Sequence, residues 1–206
     1  MKKIIPIILW IAIVSCSQLN EKSPEAKPSV KTTPTADSLS VDPHYFDYSK
    51  TIVHEEFRDT TYAHFSSADE DDCFSFIVPK GNIRETTSHL KIVDKSGNTI
   101  YEQDIPTSDL VNGYATDEIK TDAKMEKYIL SEAKDFLQKG IIDLNKLSSD
   151  SYLSVATKED FEDYDTFMEC KDQKRMLFHF RLNEESHTYL CFSKSKGKVV
   201  EVISCC

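Results

Sequence analysis

The sequence predicts an α+β domain: a curved, mostly antiparallel sheet, or a sandwich, packed against one long amphipathic helix. Three observations point there. Short runs rich in β-branched and aromatic residues recur between turn signals, as in residues 73–78 ahead of Pro79-Lys80-Gly81. A single stretch has helical spacing, with Met125, Tyr128, Ile129, Ala133, Phe136 and Leu137 on one face. The order is strands, helix, strands, and the turns between strands are too short for parallel crossovers.

Residues 51–57 and 61–65 read as short strands, and 73–78 as a stronger one. Residues 89–93 and 99–101 flank Asp94-Lys95-Ser96-Gly97-Asn98, a hairpin signal. Asp117 and Glu118 suit the first turn of the helix, and Gly140 suits the position just past its end. Core packing accounts for Met125 and Phe136 more simply than a cofactor stripe does. Residues 152–155, 167–170, 176–180 and 188–192 read as further strands, and a turn at Lys196-Gly197 leads into the last, 199–203.

The chain ahead of these elements is different. Lys2 and Lys3 precede an apolar run of about eleven residues, 4–14, too short for a bilayer span of roughly 20 but suited to a signal sequence. Ile13-Val14-Ser15-Cys16 follows. This run resembles the lipobox of bacterial lipoproteins. The resemblance implies a signal peptide over residues 1–15 and a lipidated Cys16 that anchors the protein in a membrane. Ser17, where an Asp would favour retention at the inner membrane, points to the outer membrane. Only Glu21 among residues 17–22 is acidic, which leaves a periplasm-facing position and surface exposure both open. Residues 16–42 are rich in Ser, Thr, Pro and Lys and lack aromatics. Such a segment cannot offset its ordering entropy by burial. It reads as a tether spanning roughly 28 Å.

Aromatics return at Tyr45, Phe46 and Tyr48, so residues 43–206 form one expected domain, long enough to bury close to 70% of its unfolded surface. In outline, the hairpin, helix and closing strands resemble uncharacterised Bacteroidetes cell-envelope lipoproteins that carry a domain of unknown function.

Charge narrows the partners. The formal net charge is −10, and loss of Lys2 and Lys3 with the signal takes it to −12. That balance opposes nucleic acid, which binds through Lys and Arg. It also opposes adsorption to anionic lipid, so the expected membrane contact is through Cys16 alone.

Five cysteines follow Cys16: Cys73, Cys170, Cys191, Cys205 and Cys206. They are candidate disulfide or thiol residues, since an exported domain can form disulfides. Cys205 and Cys206 should not pair with each other, because adjacent Cα atoms are about 3.8 Å apart and disulfides need about 4.4–6.8 Å. One bond from Cys205 or Cys206 to an earlier strand is expected. The competing reading makes Cys73 and Cys191 small buried hydrophobes. A soft-metal site at Cys205-Cys206 with His187 or His179 is a third reading. A two-residue turn at Lys196-Gly197 sets His187 opposite Cys206 and Thr188 opposite Cys205. No CxxC or HxxxH spacing supports such a site, and its metal is not identifiable.

Asp69–Asp72 and residues 159–165 are dense in acids, but neither has the spacing of an EF-hand, so both are expected to be solvated loops. G-x-S-x-G and H-E-x-x-H are missing from the sequence. His44, His54, His64 and His89 have polar neighbours and read as surface residues. No catalytic residue and no cofactor is expected. The function expected is a non-enzymatic binding or structural domain on a lipid tether, with another envelope protein, a glycan or a small apolar ligand as partner. The aromatics at 45–48 and 161–167 are its candidate contact surface. A thiol- or metal-handling protein and a hydrolase of envelope polymers are the alternatives.

Overall fold

The computed structural model describes residues 46–113, 116, 118–147, 151–184 and 186–205, without the side chain of Cys205. All belong to the unit Val41–Cys206. The expectations for the signal, Cys16, the tether, His44, Tyr45, Asp117 and Cys206 therefore lie outside the described residues.

The domain is α+β with antiparallel sheets. β1 (Ile52–Val53) pairs with β4 (Gly81–Asn82) in a small ribbon. β2 (Phe57–Ala63), β3 (Asp72–Val78), β5 (Thr87–Val93) and β6 (Thr99–Pro106) form a first four-stranded sheet in the order β2-β3-β5-β6. Alternation in β3 sends Phe74, Phe76 and Val78 into the core, and Leu90 and Ile92 do the same from β5. The β5–β6 hairpin closes as expected: Asn98 donates its backbone N–H to Asp94 Oδ1 at 2.8 Å, and Gly97 supplies a φ of +85°.

α1 (Asp122–Gly140) lies against β2 and β3 of this sheet and β8 of the next, burying Met125, Ile129, Ala133 and Leu137. Phe136 stacks on Phe76 with ring centres 4.0 Å apart. The start of the helix differs from expectation. Thr121 is the N-cap, its hydroxyl accepting from Lys124 N–H at 3.3 Å, and Asp122 is the acid of the first turn. Glu118 precedes the helix. Gly140 is its last residue and not the one beyond. A Cβ there would sit 2.5 Å from Phe178 Cε2 and 2.7 Å from the His179 carbonyl oxygen, so close approach explains this glycine.

The second sheet has the order β10-β9-β8-β7, built from β7 (Ile141–Asp143), β8 (Met176–Leu182), β9 (Ser186–Ser193) and β10 (Lys198–Cys205). Between β7 and β8 come α2 (Tyr152–Val155) and α3 (Tyr164–Asp172). Both had the look of strands in the sequence, and both are helices. In α3, Asp163 caps Thr166 N–H at 3.1 Å, and Phe167 and Cys170 bury at helical spacing.

This arrangement covers two faces of the second sheet. Phe178, Phe180 and Leu190 join the core shared with α1 and the first sheet. Leu177, Tyr189, Cys191, Val202 and Ile203 form a second core with Leu153 and Phe167 of the short helices. Two-sided burial is why β8 and β9 read as continuous apolar runs.

Arg175 sits at the junction, fully buried. Its Nη1 donates to the carbonyl oxygens of Phe192 at 2.5 Å and Phe65 at 3.4 Å, and its Nη2 pairs with Glu169 at 3.3 Å.

Candidate functional site

The β7 strand pairs with Met176, Leu177 and Phe178, so among the described residues β8 has no strand on that side from His179 onward. The end of α1 runs beside this open edge, held there by Gly140. Between them lies a cleft of about 270 Å³ lined by Glu132, Asp135, Phe136 and Lys139 of α1, and by His179, Arg181 and His187 of the sheet. Charged side chains of both signs and two imidazoles face this common cavity.

Register brings the sheet residues together. In β8 and β9, His179 lies opposite Tyr189, and Arg181 opposite His187. His179 stacks on Tyr189 with ring centres 4.3 Å apart. Its Nε2 lies 3.1 Å from His187 Nδ1, so one ring donates and the other accepts. Burial, then His187, then Arg181, push His179 down to about 4. Burial and Arg181 lower His187 as well. Across the cleft, burial raises the Glu132 carboxyl, which Arg181 only partly offsets. Among the described residues, neither Glu132 nor Arg181 is in a contact ion pair.

These shifts set a pH dependence. An unfolded histidine protonates near 6.5, whereas His179 in the fold resists until about 4. Between those values the unfolded chain holds more protons, so stability falls as pH falls. His187 acts in the same direction and Glu132 oppositely, while Lys139 on the facing helix, held above its ordinary value by its bond to Asp135, stays charged. Allowing for partial exposure, His179 should account for roughly 2 kcal/mol between pH 7 and 4. Urea midpoints across this range for the wild-type chain and for His179→Gln should converge as pH falls. Parallel curves would refute this assignment.

The other residues singled out by sequence fall elsewhere. Cys73 is half-buried in β3, and Cys170 and Cys191 are buried in the second core, all as thiols. The bland reading of Cys191 as a buried group therefore holds for this state. A four-residue turn and a bulge between Glu201 and Ile203 set His187 opposite Cys205 and Thr188 opposite Ser204, one position off the expected register. The side chain of Cys205 and all of Cys206 lie outside the described residues. Among those described, no group of three or more His, Cys, Asp or Glu is placed to hold a metal.

The acidic segments are mostly exposed, as expected of solvated residues, and several of their acids act as local caps or pairs. Asp72 is buried and accepts from Ser66, Glu70 pairs with Lys95 at 2.6 Å, Asp160 caps Thr157, and Asp163 pairs with Lys196. The expected contact aromatics belong to the interior: Phe46 and Tyr48 pack on the main core, and Phe161, Tyr164 and Phe167 build the second. His54 is exposed and His64 and His89 are half-buried, with Glu126, Asp71 and Asp104 beside them.

Sequence reasoning singled out His179 and His187 but missed Arg181, Glu132, Asp135 and Lys139. The available signal was Glu132, Asp135 and Lys139 recurring at three- and four-residue spacing beside Phe136. No described helix is long and apolar enough to cross a membrane. Comparison with protein-family models, with curated proteins and with solved structures finds no match.

Proposed function

We propose that this protein is a lipid-anchored envelope protein whose domain binds a polar ligand, a glycan of the cell envelope, in the cleft between α1 and the open edge of β8. On this reading Cys16 carries the lipid, residues 17–42 are the tether, and the outer membrane is the site of anchorage. The amphipathic helix α1 is one wall of the binding cleft, and any curvature of the sheets would shape the other.

One observation supports the reading above others: Arg181, Lys139, Glu132 and Asp135 converge with two neutral imidazoles and Phe136 on one cavity. Sugar hydroxyls need donors and acceptors at close spacing, with an apolar surface beside them. That lining fits a polyhydroxylated ligand better than a wholly apolar one.

The hydrolase reading is the second. His179, His187 and Glu132 have shifted pKa values in one cleft, a frequent property of acid–base sites. Glu132 would be the acid and the less buried His187 the base.

Calorimetry and product chromatography with soluble peptidoglycan fragments test both readings on the full chain, purified in detergent. Binding without new products, weakened at least tenfold in Arg181→Ala, is expected. New fragments that vanish in Glu132→Gln would favour the hydrolase. Absence of both binding and turnover would sink the assignment of this ligand. Fractionation of cells expressing the Cys16→Ser variant tests the anchor, which predicts release from the membrane.

A further inference from the structure

We infer that Cys170 and Cys191 form a redox pair: side by side as thiols in this structure, they close into a Cys170–Cys191 disulfide when the chain meets a disulfide oxidant. The two side chains belong to α3 and β9, which pack on each other, and their thiols lie close enough to perturb one another, while Cys170 Sγ also reaches the Met176 carbonyl oxygen at 3.4 Å. Both residues have no solvent exposure and share the second core.

The backbone around them is clamped by one residue. Arg175 N–H donates to the Cys170 carbonyl at 3.1 Å, and Arg175 Nη1 donates to the carbonyl of Phe192, next to Cys191, at 2.5 Å. Arg175 thus fixes both chain segments that carry the sulfurs. Its charge also favours a thiolate on either cysteine, the form that attacks a disulfide. The two thiols shift each other in opposite directions, Cys170 down and Cys191 up.

Other pairings are disfavoured by position. Cys73 lies in the first sheet, opposite Tyr62 and Val93. Cys205 is in register with His187, four residues along β9 from Cys191, about 13 Å at the rise of a strand.

The chemistry balances with a disulfide, small-molecule or protein, as oxidant. Cys170 thiolate attacks one sulfur of the oxidant and expels the first reduced thiol. Cys191 then attacks the mixed disulfide and expels the second. Two thiol S–H bonds and one S–S bond are exchanged for one S–S bond in the protein and two thiols on the reduced oxidant. Formation in the folding chain, before burial, gives the oxidant access. Oxidation in the cell rests on the export reading above; closure of the bond in vitro does not.

The test is peptide mass mapping of the full chain after trapping thiols by alkylation. One sample comes directly from cells, and one is reduced in denaturant and refolded with oxidised glutathione. A Cys170–Cys191 linked peptide, two hydrogens lighter than the separate thiols, is expected in both, and should persist in Cys205→Ser/Cys206→Ser. Closing the bond should raise the melting temperature by roughly 6–12 °C. A bridge in the refolded sample alone would uphold the pair and overturn export to an oxidising compartment. Alkylation of both cysteines in both samples, or a bond from either to another cysteine, would overturn the pair.

Discussion

Replacing Arg175 by alanine should lower the stability of the domain by about 4 kcal/mol, read as a fall in the urea midpoint at unchanged slope. The side chain is fully buried, and its guanidinium serves three acceptors: the carbonyls of Phe65 and Phe192 and the Glu169 carboxylate. Truncation leaves two buried carbonyls and a carboxylate short of a donor, and it opens a cavity at the junction of the two sheets. Each unsatisfied group costs about 1–3 kcal/mol. Among the described residues the buried Arg175 Nε has no partner, which offsets part of this and keeps the total from rising further. Arg175→Lys should recover less than half, because a single ammonium cannot reach acceptors spread around a planar fork. A loss below about 1 kcal/mol in Arg175→Ala would mean that water replaces the guanidinium, and the clamp would fail.

Phe178→Ala should cost a similar amount, about 4 kcal/mol. Phe178 has no exposed surface and lies among Phe74, Phe136 and Phe180, with ring centres 5.2, 6.1 and 5.9 Å away. It is one of the contacts through which the first sheet, α1 and the second sheet share a core. Its ring also fills the space beside Gly140, so its loss removes the surface that seats the end of α1. Phe178→Leu, which keeps most of the volume, should cost about 1.5 kcal/mol. Equal losses in the two variants would show that the ring packing contributes nothing beyond bulk.

The two predictions mark where the sequence was opaque. Arg175 is one charge among 25 basic residues, and nothing local marks it as buried. Its environment is made by Phe65, Glu169 and Phe192, which are distant or on other elements. The short helices were misread for a related reason. Residues 152–155 and 167–170 carry apolar runs too short to show a period, and only the Asp163 cap with Thr166 three residues on marked α3. The cleft was half legible. His179 and His187 stood out as residue types, but their 3.1 Å approach depends on the β8–β9 register. The Cys205 expectation slipped by one position because the turn spans four residues rather than two, a shift of two that the bulge between Glu201 and Ile203 halves.

What the sequence determined by itself was what depends on neighbours along the chain: the hairpin around Asp94–Asn98, the apolar face of α1, the alternation in β3 and the acidic charge. These follow from local backbone preference and from periodicity. What the tertiary structure decided was which faces met: the two-sided burial of the second sheet, the Arg175 clamp on Cys170 and Cys191, and the cleft opened where β7 stops short of His179. Those depend on contacts between residues far apart in sequence, whose energies no local pattern encodes.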